Sequence, residues 1–160
     1  MALFEQGLYA EAVHKLKSDS AHCEAPVETS TLLARAYANL GNLAEARRWL
    51  EKSLAADKAN SSLHYLRAVI VQEQGATAEA LLSLKHAIYF EPDFVLAHFA
   101  LANHALRERH FSKADKHFTN ALALLARYQP DAVLPNSDGL SAGGLKELIE
   151  STMSIERRYA

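Results

Sequence analysis

Gly41-Asn42-Leu43-Ala44-Glu45-Ala46 has a counterpart on either side, Gly7-Leu8-Tyr9-Ala10-Glu11-Ala12 before it and Gly75-Ala76-Thr77-Ala78-Glu79-Ala80 after it, at one constant interval. The interval extends beyond this motif. Ala12, Ala46, Ala80 and Ala114 keep it, and Leu16, Leu50, Leu84 and Phe118 lie one helical turn after each alanine. Leu54, Ile88 and Leu122 continue the register, as do His64 and His98. A fixed period of this length marks stacked supersecondary units, none of which can bury its apolar face alone.

Each column has a physical task. The glycine suits a tight turn after a helix, where a left-handed backbone strains any residue with a Cβ. The alanine that follows it lies on the next helix, where a small side chain lets two helices approach closely. The large apolar residue lies one turn further on the same face. Asp57 and Glu91-Pro92 end that second helix, since proline cannot continue one. Arg109 stands where the fourth glycine is expected, so that turn is looser or strained.

Composition agrees. The 160 residues include 29 Ala and 24 Leu but only 6 Val, 4 Ile, 6 Gly and 4 Pro, which excludes a β-rich fold. With 17 basic and 19 acidic residues the net charge is -2, which gives no electrostatic reason for a nucleic-acid or acidic-membrane partner. The lone Cys23 allows no internal disulfide and has no evident activating neighbour, so it reads as inert in a reducing compartment. No apolar run approaches the roughly 20 residues that span a bilayer, and no signal peptide is evident. The expected location is cytoplasmic.

The helix–turn–helix period of 34, with Gly-x-x-x-x-Ala-x-x-x-(Leu/Phe) spacing, resembles the tetratricopeptide repeat. The resemblance implies an all-α solenoid of antiparallel helix pairs, wound as a right-handed superhelix. The spacing predicts a helix over 8–18, then pairs over 27–40 and 43–56, 61–74 and 77–90, and 95–108 and 111–127. The expected organisation is a partial repeat over 1–18, repeats over 27–60, 61–94 and 95–128, a loop over 129–144 and a capping helix over 145–156. Residues 19–26 read as an irregular link. Because Met1 falls inside the first helix of a repeat, the chain is expected to be a fragment of a longer protein. Leu145, Leu148, Ile149, Thr152 and Met153 recur at helical spacing in the cap, with Ser141 as its N-cap.

Three stretches carry a narrower resemblance. They are residues 64–75 (His-Tyr-Leu-Arg-Ala-Val-Ile-Val-Gln-Glu-Gln-Gly), 89–99 (Tyr-Phe-Glu-Pro-Asp-Phe-Val-Leu-Ala-His-Phe) and 134–143 (Leu-Pro-Asn-Ser-Asp-Gly-Leu-Ser-Ala-Gly). Together they look like the C-terminal repeat region of CheR-type chemotaxis receptor methyltransferases. That resemblance implies a parent enzyme that uses S-adenosylmethionine to methylate receptor glutamates. No Gly-x-Gly-x-Gly turn after a strand occurs here, so no cofactor and no catalysis are expected of this chain alone.

The residue chemistry points the same way. None of the eight histidines forms a His-Glu-x-x-His motif. His64 and His98 occupy a packing position, whereas His104, His110 and His117 are near in sequence but split between two helices. Glu45 and Glu79 favour helix starts rather than acid chemistry. Binding is the better expectation, since the first helix of each repeat lines the concave side of a solenoid. The lining set is Thr31, Arg35, Ala38 and Asn39, then Tyr65, Val69, Gln72 and Glu73, then Phe99, Asn103, Leu106 and Arg107. Of these, Arg35, Asn39, Tyr65, Val69, Gln72, Phe99, Asn103 and Arg107 form the candidate peptide groove, because aromatics, arginines and amides suit a peptide. The carboxylate clamp of chaperone-binding repeats is not expected, since its positions carry Thr31, Arg35, Leu66, Leu96 and Ala100. The partner would be a receptor segment, a signalling protein or the attached catalytic domain. The alternative is an adaptor of a pilus, secretion or other assembly system.

Overall fold

The computed structural model describes residues 6–19 and 26–159, with side-chain surroundings for 6–18 and 26–155. Cys23, the middle of the expected 19–26 link and the residues before Gln6 lie outside this range. The described helices are α1 (Tyr9–Asp19), α2 (Val27–Asn39), α3 (Leu43–Ala56), α4 (Ser61–Glu73), α5 (Thr77–Phe90), α6 (Val95–Arg107), α7 (Phe111–Leu125) and α8 (Ala142–Tyr159). Outside them, an isolated antiparallel bridge joins Val133 to Ser141.

The turn chemistry repeats as the sequence spacing requires. Gly7, Gly41 and Gly75 have φ of 71°, 74° and 79°. The Gly41 and Asn42 amides donate to the Ala38 and Tyr37 carbonyls, both at 2.9 Å, and the Gly75 and Ala76 amides repeat this with Gln72 and Val71. These paired bonds satisfy the last helical carbonyls and need a left-handed residue. Arg109 fills the same turn at φ 57°, its amide bonded to Leu106 and that of His110 to Ala105. The turn is therefore strained rather than looser. Left-handed backbone costs an L residue about 1–2 kcal/mol, so Arg109→Gly is expected to stabilise the turn by about 1 kcal/mol. A raised thermal unfolding midpoint checks this.

Asn42 caps α3 by accepting from the Glu45 amide at 3.3 Å, and Asn60 caps α4 by accepting from Leu63 at 3.2 Å. Each cap satisfies an N–H that the helix itself leaves unpaired.

The chain forms two compact units, Met1–Phe90 and Glu91–Ala160. In the first, α2 packs on α3 and α4 on α5, while α1 meets α2 and α3 meets α4. Leu33, Ala34, Ala46, Trp49, Leu50, Leu54, Leu63 and Ile70 form its core. Ala12, Ala46 and Ala80 are all buried, as the close-approach argument requires, and Leu50 and Leu84 lie buried one turn on.

In the second unit α6 packs on α7, and α8 covers α7. Ala114, Phe118, Leu145 and Ile149 are buried there. The capping helix starts three residues earlier and ends three later than expected. Ser141 does cap it, accepting from the Gly144 amide at 3.1 Å. The helix begins directly after Ser141, so Gly143 and Gly144 lie in its first turn. A Cβ on Gly143 would sit 2.9 Å from the Pro130 carbonyl oxygen, which the Gly143 amide meets at 2.8 Å. Gly143 is there for that approach, not because the segment is loop. The preceding segment is tied back by Leu134 N–H to Leu140 O at 3.0 Å and Ala142 N–H to Ala132 O at 2.9 Å. No described helix is long and apolar enough to cross a membrane.

Candidate functional site

Arg35 and Asn39 lie one turn apart on α2, and Tyr65, Val69 and Gln72 lie at i, i+4 and i+7 on α4. The two helices touch, so the first unit gathers these five residues on neighbouring elements. Asn39 Nδ2 donates to the Arg35 carbonyl at 3.0 Å, which holds the amide against its own helix. Val69 is 41% exposed, although Ala68, Ile70 and Val71 beside it are buried. An apolar residue left open on an otherwise well-packed helix is the informative kind of exposure.

The second unit places Phe99, Asn103 and Arg107 along one stripe of α6. Phe99 is half-buried, its ring tilted against Phe118 with centroids 6.3 Å apart, so it also serves the core. Asn103 is half-buried and Arg107 exposed.

Two members of the wider lining set are displaced. Thr31 turns inward: Oγ1 donates to the Val27 carbonyl at 2.8 Å and lies 3.2 Å from the Ser53 hydroxyl of α3. A β-branched hydroxyl bonds its own helix readily, which removes it from a binding face. Ala38 packs against the first core. Leu96, a position of the rejected clamp, is buried as well.

Four of the histidines, His64, His86, His98 and His117, meet within the helix packing in a specific way. His64 and His98 are buried. Nε2 of His64 donates to the Lys58 carbonyl at 2.9 Å, and Nε2 of His98 donates to the Pro92 carbonyl at 2.9 Å. Lys58 and Pro92 are related by the same repeat interval as His64 and His98, so one bond recurs in two repeats. His117 of α7 pairs with His98, not with His104 or His110, its Nδ1 lying 3.1 Å from His98 Nδ1. His86 of α5 meets His64 edge to face at 5.1 Å. Burial lowers the pKa of His86 below the ordinary imidazole value, aided by His64 and then Arg67. Burial lowers that of His117 too, aided by His98 and then Lys116. Among the described residues no group of three or more His, Cys, Asp or Glu side chains could hold a metal ion.

Glu79 does more than favour its helix start. It accepts from Arg47 of α3 at 2.7 Å and from Arg67 of α4. Arg67 also reaches Glu51 Oε1 at 3.0 Å and the Ser83 hydroxyl at 3.2 Å. Three helices are thus joined by one ion network, to which no feature of the sequence pointed. Glu45, in the same column, meets only Arg48 among the ion pairs described, at 3.3 Å on the surface.

Comparison with known proteins fits this geometry. Residues 3–70 match a tetratricopeptide repeat family model. The fold is a tetratricopeptide-type helical repeat. A crystal structure of MamA superposes with a TM-score of 0.71 at 19% identity, over 79% of this chain and 75% of that one. A double mutant of MamA RS-1 gives 0.68 at 20% identity, over 79% and 71%. MamA MSR-1 gives 0.64 at 23% identity, over 79% and 72%. At these identities the likeness is one of fold. No curated protein sequence matches the chain.

Proposed function

We propose that this chain is a protein-interaction module, without catalytic chemistry of its own, that takes an extended or helical peptide on its first-helix faces. The observation that carries the reading is the α4 stripe, where exposed Val69 lies between Tyr65 and Gln72, with Arg35 and Asn39 on the neighbouring α2. An apolar anchor with an aromatic and an amide on its own stripe, and a guanidinium on the neighbouring helix, is the chemistry of a peptide site. Phe99, Asn103 and Arg107 supply a second stripe of the same chemistry on α6.

The finer reading makes the chain the targeting or regulatory repeat region of a chemotaxis-type receptor methyltransferase. S-adenosylmethionine would then belong to the parent's catalytic domain. It rests on residues 64–75, 89–99 and 134–143 alone, since the family match and the MamA structures speak only for the repeat fold. The alternative is an adaptor or scaffold of a bacterial assembly system. A methyltransferase domain encoded upstream of Met1 separates the two.

The groove is tested with the triple variant Arg35→Ala, Tyr65→Ala, Arg107→Ala. Partners captured from the native host by the wild-type chain are expected to fall at least about tenfold in the variant, as loss of even one hot-spot contact implies. Unchanged capture by a variant with native circular dichroism would remove the groove from consideration.

A further inference from the structure

His64 and His98 are held in one way. Each is more than nine-tenths buried, at 8% and 6% exposure, and each spends its Nε2 proton on a carbonyl six residues earlier. A carbonyl can only accept, so in the neutral ring Nε2 carries the hydrogen and Nδ1 is a bare lone pair. The bonded carbonyls belong to the turns just before α4 and α6. In the second unit the lone pair of His98 accepts from His117 Nδ1–H of α7. In the first, His64 Nδ1 is buried with no hydrogen-bond partner, between the edge-on ring of His86 and the stacked ring of Phe90, centroids 5.4 Å away.

We propose that the two His pairs, His64 with His86 and His98 with His117, are proton-sensitive latches that hold α4 and α6 to the turns before them and to the helices after them. Both latches work only while Nδ1 of the inner ring is bare. A proton on His98 Nδ1 would set two N–H groups face to face across a 3.1 Å contact. A proton on His64 Nδ1 would be a buried donor with no acceptor, which costs the whole desolvation of that group. Protonating the outer ring instead sets a cation in a partly desolvated position beside an Arg or a Lys, which works against the same packing. Beside the first pair stands Arg67, whose guanidinium is shared with Glu51 of α3 and Glu79 of α5, while Asp57, bonded by Asn60, lies next to Lys58 in the turn. Around the second stand Lys116 and, in the turn, Asp93, paired with Arg127 of the segment after α7. Arg67 and Lys116 both oppose a further positive charge.

The sign follows from the outer rings. His86 and His117 bind a proton less readily folded than unfolded. Their contribution to stability is therefore complete above the ordinary imidazole value of about 6.5 and is lost as pH falls below it through the lowered values. Because α4 and α6 carry the two candidate binding stripes, acid loosens the helices that present them. This last consequence rests on the groove reading, whereas the latch itself does not.

Hydrogen exchange at the amides of His64, Phe94 and His98, corrected for intrinsic pH dependence, tests the latch on the whole chain. From pH 7.5 to 5.5 their opening constants are expected to rise severalfold, with about tenfold as the ceiling for one imidazole that must stay neutral. In His86→Asn the rise should shrink at His64 only, and in His117→Asn at Phe94 and His98 only. A rise that is absent, uniform along the chain, or unchanged in both variants overturns the proposal. Imidazole nitrogen shifts of the wild type give a second check that needs no variant. His64 and His98 must be Nε2–H tautomers at pH 7.5, and Nδ1–H tautomers would overturn it.

Discussion

Phe118→Ala is expected to destabilise the second unit by about 3–5 kcal/mol, the cost of deleting a fully buried aromatic ring. Phe118 is 1% exposed and is the largest fully buried side chain among the described residues. It lies one turn beyond Ala114, where the earlier repeats have Leu16, Leu50 and Leu84. Its ring also faces Phe99 of α6, so truncation leaves a cavity between paired helices. Exchange protection within α6 and α7 should collapse towards local opening, while that of α4 and α5 is kept. Equal loss in both units would show that the two do not unfold independently. Phe118→Leu, which restores the side chain of the other repeats, should recover most of the loss.

Glu79→Ala is expected to cost about 2 kcal/mol, because two arginines from two other helices lose a charge-assisted partner. The site is only partly buried, with side-chain exposures of 26% for Glu79 and 20% for Arg67, so the cost stays below that of a fully buried pair. Arg67 keeps Glu51 and Ser83, which further limits the damage. Glu45→Ala removes the same column one repeat earlier, where the Arg48 side chain is 61% exposed, and should cost under about 0.5 kcal/mol. A urea titration of the two variants decides the point. Equal effects would mean that the column acts through the helix start alone.

These contrasts show how much of the molecule could be read from the chain. Gly41, Ala46 and Leu50 recur because turn geometry and helix contact set conformation and volume at fixed positions, and both demands reappear in every repeat. The helices from α2 to α7 therefore end within about two residues of the periodic expectation, well inside the ordinary uncertainty of helix boundaries. Arg109 was legible as a misfit in the glycine column, though not the side of the Ramachandran map it would take. The cap was harder. Gly143 and Gly144 suggest loop by composition, yet the first belongs to a helix because the Pro130 carbonyl leaves no room for a Cβ.

Of the candidate groove, the stripes on α2, α4 and α6 were legible as helical spacing. Thr31 was not, since its hydroxyl had a nearer acceptor in its own helix and Ser53 beside it. The ion network was out of reach for a different reason. No two of Arg47, Glu51, Arg67 and Glu79 are related by the repeat interval, and only the packing of three helices makes them neighbours.

The order of residues was enough to set the repeat: its period, its turns, its close-packed alanines and the buried place of His64 and His98. Local backbone rules and a recurring volume requirement act along the chain, so they leave a periodic trace. Which charges meet, and which ring faces His98 across 3.1 Å, was settled by packing in three dimensions. So was the exposure of Val69 beside buried Ile70 and Val71. Electrostatic and hydrogen-bond partners are chosen by distance and angle between helices, and a single long side chain can reach several of them, so spacing in the chain does not specify the choice.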